Sequence, residues 1–121
     1  MAYTTIDDPA QYFNTVLYTG NGGTQSITGV GFQPDWVWCK GRSDAHAPHI
    51  YDSVRGEGLR IRSDNTTAEA DYTSSNIGVN SFDSDGFSIG NSGTLNNSSS
   101  TYVAWNWKED ATAGFDIVSY T

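Results

Sequence analysis

Short runs in which apolar and polar residues alternate recur along the chain, and each run ends at a polar turn. An alternation with a period of two places successive side chains on opposite faces of a β-strand. The pattern predicts strands at 13–19, 26–32, 36–40, 49–54, 59–63, 77–82, 86–90, 102–107 and 114–121. Short strands separated by frequent turns predict an all-β protein, an antiparallel β-sandwich of the jelly-roll or lectin-like kind with about eight to nine strands.

Two of these runs carry pairs of tryptophans at alternate positions, Trp36 with Trp38 and Trp105 with Trp107. In the second run Val103 shares the tryptophan face, and small or polar residues lie opposite. We therefore expect Trp105 and Trp107 to be buried in the core. Trp36 and Trp38 share their face with a lysine, which leaves two interpretations open. They are either core residues or an exposed aromatic row suited to sugar rings or another apolar surface.

The chain has the length of one domain, 121 residues. We interpret residues 1–12 as a polar lead-in, in which the Asp8-Pro9 step predicts a turn or a single helical turn. Residues 13–121 then form a single β-sandwich domain. The segment 115–121 (FDIVSYT) echoes 13–19 (FNTVLYT) at its phenylalanine, valine, tyrosine and threonine.

Two interpretations of this echo compete. Strands rich in aromatic and β-branched residues often resemble one another by chance, because they share the same few residue types. Alternatively, 115–121 is the start of a possible next repeat in a tandem array. In the second case both terminal segments are candidate edge strands, and edge strands pair with whatever completes the sheet. Copies of the chain can then join head to tail or in a closed ring, which predicts a homo-oligomer.

The net charge of −8 excludes several classes of partner. An acidic surface repels phosphate backbones and anionic lipids, so we expect neither nucleic-acid binding nor membrane insertion. No apolar run approaches the roughly 20 residues that span a bilayer, and the N-terminus does not resemble a secretory signal. A single cysteine, Cys39, excludes an intrachain disulfide and a multi-thiolate metal site.

Candidate chemistry is sparse. His46 and His49 lie near Asp44 and Asp52, but a zinc site needs further ligands at a recognisable spacing, so a polar loop is the preferred interpretation. No serine or cysteine is placed in a recognisable nucleophile–base pattern. We therefore expect no enzymatic activity, no metal and no cofactor.

The residues left as candidates for ligand binding surround the first tryptophan pair and the loop that follows it. An ionic cluster that involves Asp52 and the nearby basic residues is the alternative role for several of them. The candidates are Trp36, Trp38, Lys40, Arg42, His46, His49, Asp52 and Arg55.

Several longer segments carry a resemblance to one family. In chain order they read MAYTTIDDPAQYF, LYTGNGGTQSI, QPDWVWCKGRS, YDSVRG, NTTAEA, SFDSDGFSIG and YVAWNWKE. Together they closely resemble a repeat domain of structural, tail-fibre-like virion proteins of marine bacteriophages, of the cyanophage type. The resemblance implies a virion component built mainly of β-strands, without catalysis. Such units often stand in tandem, in agreement with the echo between the two ends.

On this resemblance we expect a bacteriophage virion structural protein of a tail fibre, an appendage or the capsid surface, with a contribution to host-surface adhesion. It would be assembled in the host cytoplasm and located in the virion. Its expected partners are further copies of itself, other virion proteins and a host-surface glycan. The alternative is a lectin-like carbohydrate-binding module, in which aromatic faces and the polar loops 20–25 and 91–100 hold a glycan weakly.

Overall fold

The structure is a computed structural model that describes residues 5–121. Within this range it contains nine strands and one short 3₁₀ helix, Pro9–Gln11. The strands are β1 (Phe13–Thr19), β2 (Gln25–Ile27), β3 (Trp36–Gly41), β4 (His49–Asp52), β5 (Gly56–Ile61), β6 (Ala70–Asp71), β7 (Val79–Asp83), β8 (Gly86–Ile89) and β9 (Thr101–Trp107).

The strands form two antiparallel sheets, which confirms the predicted all-β sandwich. The larger sheet has six strands in the order β1-β9-β3-β4-β5-β6, and the smaller has three in the order β2-β8-β7. Neighbouring strands form antiparallel hairpins at β4–β5 and β7–β8. The short strand β6 lies in a polar stretch where the alternation predicts no strand.

The lead-in ends as its sequence predicts, although residues 1–4 lie outside the described residues. Asp8 caps the 3₁₀ helix, because its Oδ1 accepts a hydrogen bond from the amide of Ala10 at 3.1 Å. Proline at the first helical position suits this geometry, since its missing N–H would have no partner there. No helix within residues 5–121 has the length and apolar character needed to cross a membrane.

The core lies between the two sheets and is assembled from alternate residues of the strands. In β3, Val37 and Cys39 point inward and are fully buried, as the alternation predicts. Large rings from other elements fill the remaining space beside these small side chains. The buried cluster consists of Ile27, Val37, Cys39, Tyr51, Val79, Phe87, Ile89, Leu95 and Ala104.

The prediction that Trp105 and Trp107 are buried in the core is wrong. β9 turns Tyr102, Ala104 and Asn106 inward, each with 0% exposure, and leaves both tryptophans partly buried on the outer face. The small inward residue Ala104 leaves room for rings such as Tyr102 and Phe87, where an indole would not fit.

Asn106 tolerates burial because its amide is hydrogen-bonded. Its Nδ2 donates to the carbonyl oxygens of Asn14 and Ala104, at 3.1 and 3.2 Å. A buried polar group costs little free energy when it is paired in this way. The polar side chain of Asn106 therefore does not mark the outer face of β9.

The segment predicted as a ninth strand at 114–121 is not a strand of either sheet. An isolated bridge pairs Asp110 with Phe115, and the chain beyond runs across the outer face of the larger sheet. We call residues 115–121 the C-terminal segment. Its Phe115 ring lies 6.2 Å from the rings of both Trp36 and Trp107, measured between centroids.

The orientation of β9 leads to a stability prediction. Tyr102→Ala should lower the free energy of unfolding by about 3–5 kcal/mol, because it empties a fully buried site. Trp105→Ala should lower it by only about 1–2 kcal/mol, since part of the indole is already in contact with water and no enclosed cavity forms. Urea unfolding of both variants measures the difference. Equal losses would show that Trp105 belongs to the core after all.

Candidate functional site

The outer face of the six-stranded sheet carries all four tryptophans of the chain. Register places Trp36 of β3 opposite Trp107 of β9, and Trp38 opposite Trp105. The ring centroids of these cross-strand pairs are 4.4 and 5.3 Å apart. Such contacts stabilise neighbouring strands, and the four partly buried indoles form one continuous aromatic surface. We call these four residues the tryptophan face.

An aromatic pocket lies at one margin of this face. The Phe13 ring of β1 lies 4.8 Å from Trp107, and Phe115 approaches Trp107 from the C-terminal segment. Together with Tyr12 they line a cavity of about 340 Å³ that also includes Pro9. Rings around a cavity of this size are typical of sites for a sugar or a small apolar group.

A second cavity, also of about 340 Å³, lies beneath the C-terminal segment, and we call it the segment groove. Trp36, Asp52, Arg55 and Ile61 form its floor, and residues 117–120 form its opposite wall. Its volume lies near the lower end of the roughly 300–1,000 Å³ range of ligand pockets, so a monosaccharide or one peptide side chain fits it.

The floor of the segment groove is held by a chain of ion pairs. Asp52 is 3% exposed, and its Oδ2 accepts a hydrogen bond from Nε of Arg55 at 2.6 Å. Nη1 of the same guanidinium donates to Oε2 of Glu69, also at 2.6 Å. Among the described residues, Nη2 of Arg55 is buried without a hydrogen-bond partner. The groove therefore combines an aromatic ring with a guanidinium that two carboxylates hold in place.

The structure separates the candidate ligand-binding residues. Those that lie on the outer side of the larger sheet are Trp36, Trp38, Lys40, Asp52 and Arg55. The expected ionic cluster forms only between Asp52 and Arg55, with Glu69 as an added partner. Lys40 instead donates from Nζ to the carbonyl oxygen of Gly41 at 2.8 Å.

The remaining candidates lie elsewhere. Arg42 is exposed at the end of β3, where its amide donates to the Thr101 carbonyl oxygen. His46 stacks on the ring of Tyr102 at 5.9 Å, and its Nε2 lies 3.7 Å from Oδ2 of Asp44. Neither residue contributes to the tryptophan face.

His49 points into the sandwich, because its register partner in β3 is the inward residue Cys39. Its Nδ1 lies 3.4 Å from the Tyr51 hydroxyl, and its Nε2 lies 3.4 Å from Oγ1 of Thr94. Within residues 5–121 no group of three or more histidine, cysteine, aspartate or glutamate side chains is arranged to hold a metal ion.

Burial controls the protonation of the inward-facing groups. Burial, reinforced by the positive charges of Arg60 and Arg62, lowers the pKa of His49 to about 4. Burial likewise raises the pKa of the Cys39 thiol to about 12. At neutral pH the imidazole is uncharged and the thiol is protonated, so Cys39 is a packing residue and not a nucleophile.

The two polar loops suggested for glycan binding are joined by one buried side chain, Asn96. Its Oδ1 accepts hydrogen bonds from the amide of Asn21 at 3.0 Å and from Nε2 of Gln25 at 2.8 Å. Its Nδ2 donates to the carbonyl oxygens of Gly23 and Gly90. Asn96 therefore fixes the loop 20–25 against the loop 91–100, so both belong to the rigid part of the fold.

Sequence reasoning missed the contribution of the two chain ends to this site. Phe13 was assigned only to a strand, and Phe115 only to a possible next repeat. Phe13 lies opposite Trp107 in the sheet, although the two residues are far apart in the sequence. That proximity depends on strand order, which the sequence pattern does not encode.

The fold and the site together define an antiparallel β-sandwich with an aromatic outer face. The family model of the Domain of unknown function (DUF7483) matches residues 8–121, and the chain belongs to this family. The matched range includes both β1 and the C-terminal segment, so the family's domain contains both ends of the aromatic pocket. Comparisons with curated proteins and with solved structures gave no match.

The depressed pKa of His49 predicts a pH-dependent stability. The unfolded chain binds a proton at its ordinary pKa near 6.5, whereas the folded chain binds it only near 4. The contribution of neutral His49 to the free energy of unfolding is therefore fully present above about pH 6.5 and is lost as the pH falls towards 4. By pH 4.5 the loss due to this group should reach about 2–3 kcal/mol.

Replacement His49→Gln removes this titration and provides the matched control. Urea unfolding of the two proteins at pH 7.5, 5.5 and 4.5 gives the difference between their stabilities. The difference should change in favour of the variant as pH falls, while the carboxyl groups shared by both proteins cancel. An unchanged difference across these pH values would contradict a neutral, buried His49.

Proposed function

We propose that this domain is a non-catalytic structural component of a bacteriophage virion, in a tail fibre, an appendage or the capsid surface, and that its tryptophan face contacts the host or a neighbouring subunit. The observation that carries the proposal is the position of the four indoles outside the core. Tryptophan and tyrosine are enriched at protein interfaces, and a continuous aromatic surface outside the core marks an interaction site.

The resemblance to virion proteins supports the same surface. Two of the segments that carry it are QPDWVWCKGRS and YVAWNWKE, which contain β3 and β9. These strands supply all the indoles of the tryptophan face. The residues that suggest a tail-fibre-like protein are thus the ones that build the candidate site.

Charge also favours this face as the contact surface. The net charge of −8 opposes close approach between copies or to an acidic cell envelope. Lys40 and Arg55 lie beside the indoles on the outer side of the sheet, where they offset nearby carboxylates. Contact through the tryptophan face therefore brings two basic side chains towards the partner.

Competition for adsorption tests the adhesion role. Purified domain, added to host cells before the phage that carries it, should slow phage adsorption several-fold by occupying the receptor. The double variant Trp36→Ala/Trp107→Ala should lose this effect, because the aromatic contact is removed. Thr67→Ala, at an exposed loop residue remote in sequence from both strands, is the matched control and should compete like the parent.

Immunogold labelling of intact virions checks the location independently. Labelling at a tail or capsid surface agrees with the proposal, and virions that lack the protein would overturn it. Labelled virions combined with no competition for adsorption would restrict the role of the domain to assembly. Before either measurement, urea unfolding must show that the double variant is folded.

A lectin-like carbohydrate-binding module is the second candidate, supported by the aromatic pocket and the segment groove. Sugar rings stack on aromatic faces, and each of the two cavities, of about 340 Å³, is large enough for one sugar ring. Arg55 lines the segment groove and brings a guanidinium charge to it, which suits an acidic sugar. Titration with host envelope polysaccharide, followed by tryptophan fluorescence, distinguishes the two. Saturable binding that Arg55→Lys weakens for acidic polysaccharides alone would favour the lectin role.

A further inference from the structure

We propose that the C-terminal segment of one copy replaces β1 on the β9 strand of a second copy, so that the domain assembles by strand exchange. This inference rests on the proposed structural function and specifies how two copies join. Four observations support it. The residues that pack β1 onto the sandwich recur in the C-terminal segment, and most positions that differ do not pack. The C-terminal segment is largely exposed, and β1 lies at the edge of its sheet.

The residues shared between β1 and the C-terminal segment include those that pack β1 onto the sandwich. Phe13 contacts Trp107, with ring centroids 4.8 Å apart. Val16 packs against the buried core. Tyr18 stacks on Tyr102 at 5.1 Å and donates a hydrogen bond to the Leu95 carbonyl oxygen at 3.0 Å. A strand with the same residues at these positions makes the same contacts.

The counterparts in the C-terminal segment are Phe115, Val118 and Tyr120. In the segment's own domain Val118 is 71% exposed and Tyr120 is 90% exposed. The large apolar and aromatic side chains that match the inward positions of β1 therefore lie in solvent. Strand exchange would bury both of them in place of Val16 and Tyr18 of the displaced β1, so the apolar area buried in the sandwich is conserved.

The positions that differ between the two segments are mostly those that do not pack. Thr15 and Leu17 of β1 are exposed, and Ile117 and Ser119 correspond to them. One position loses a contact. Nδ2 of Asn14 donates to the carbonyl oxygens of Val30 and Gly29, at 3.0 and 3.4 Å, whereas the carboxylate of Asp116 at this position would face the same oxygens without a donor. The inserted strand therefore resembles β1 closely, but lacks these hydrogen bonds and places a carboxylate beside two carbonyl groups.

β1 is the strand best placed for such an exchange, because it lies at the edge of the six-stranded sheet and pairs only with β9. Exchange of one strand for an equivalent strand of another copy replaces nearly every contact that β9 and the core lose, and its cost is the release of β1 from the sheet. An edge strand also separates from its sheet without breaking a second ladder of hydrogen bonds.

The segment that takes the place of β1 belongs to a second copy, because the C-terminal segment of the same chain runs away from β1. The segment crosses Trp36 and reaches Arg55 and Ile61, on the side of β9 that carries β3, β4 and β5. β1 lies on the opposite side of β9. An extended segment of a neighbouring copy approaches this site without reversing over its own sheet.

Engineered disulfides give a test that depends on register. Leu17 lies opposite Val103, and Ser119 takes the place of Leu17 in the exchanged state. Hydrogen bonds from the amide of Gly20 to the Ser100 carbonyl and from the amide of Lys108 to the Tyr12 carbonyl show that Leu17 and Val103 form a non-hydrogen-bonded pair. Side chains of such pairs are close enough for a disulfide.

The full-length double variant Val103→Cys/Ser119→Cys should therefore form a covalent dimer under mild oxidation, seen on a non-reducing gel and as a doubled mass in light scattering. The matched control is Leu17→Cys/Val103→Cys, which should form an intrachain disulfide, hold β1 in place and prevent dimers at concentrations where the parent dimerises. Cys39 is buried and stays reduced in both proteins.

Point variants cover the case in which the double variants fail to fold. Val118→Asp should abolish dimers without changing the free energy of unfolding of the monomer, because Val118 is exposed there. Thr112→Ala, outside the echoed segment, is its control and should leave the dimer intact.

Three outcomes would overturn strand exchange. One is an intrachain link between positions 103 and 119, which would place a chain's own segment on β9. Another is the absence of any such link when the control pair forms its disulfide efficiently. In the third, dimers persist after β1 is locked by the control disulfide. The third outcome leaves the proposed structural function intact, because assembly then uses another surface, such as the tryptophan face.

Discussion

The rest of the structure depends on the alternation of side chains along β9. This strand lies between β1 and β3 and is paired with both, so its pleat determines which residues of its neighbours face the core. Ala104 and Cys39 are small and face inward side by side, so aromatic rings from other elements fill the centre of the sandwich. The same alternation sends Trp105 and Trp107 outward, opposite the outward tryptophans of β3. The small core and the aromatic surface both result from the register of β9 with its neighbouring strands.

The sequence predicted most of the strands and the sandwich, because a period of two and the turn residues are local properties. It placed a strand at 114–121 where none forms and placed none at β6. It did not predict which face of β9 is buried. That choice depends on Cys39 and on Phe87 from the facing sheet, which are neighbours of Ala104 in the core but distant in sequence. Asn106 was misleading as well, since its polarity is satisfied by carbonyl groups that only the folded sheet brings near. Long-range packing therefore determines which face of β9 is buried, which the local pattern leaves ambiguous.

Polar side chains complete the fold where the core is small. Asp35 accepts hydrogen bonds from the Ser53 hydroxyl and from the amide of Glu109, and so ties the start of β3 to two later turns. Asp85 accepts hydrogen bonds from the amides of Gly29 and Gly31 in the same manner, and these bonds lower its pKa. In a chain with 36% hydrophobic residues, such bonds hold the loops that a larger core would hold by packing.

The C-terminal segment connects the two surfaces on which the proposals rest. While it lies on its own domain, Phe115 packs beside Trp36 and Trp107, and residues 117–120 form the wall of the segment groove that faces Arg55. If it leaves to pair with β9 of another copy, those rings and the guanidinium lose their cover. Because one segment cannot occupy both places, assembly by strand exchange and exposure of the tryptophan face are thermodynamically linked. A partner that binds the exposed face would then favour the exchanged assembly, and the assembly would favour that partner equally.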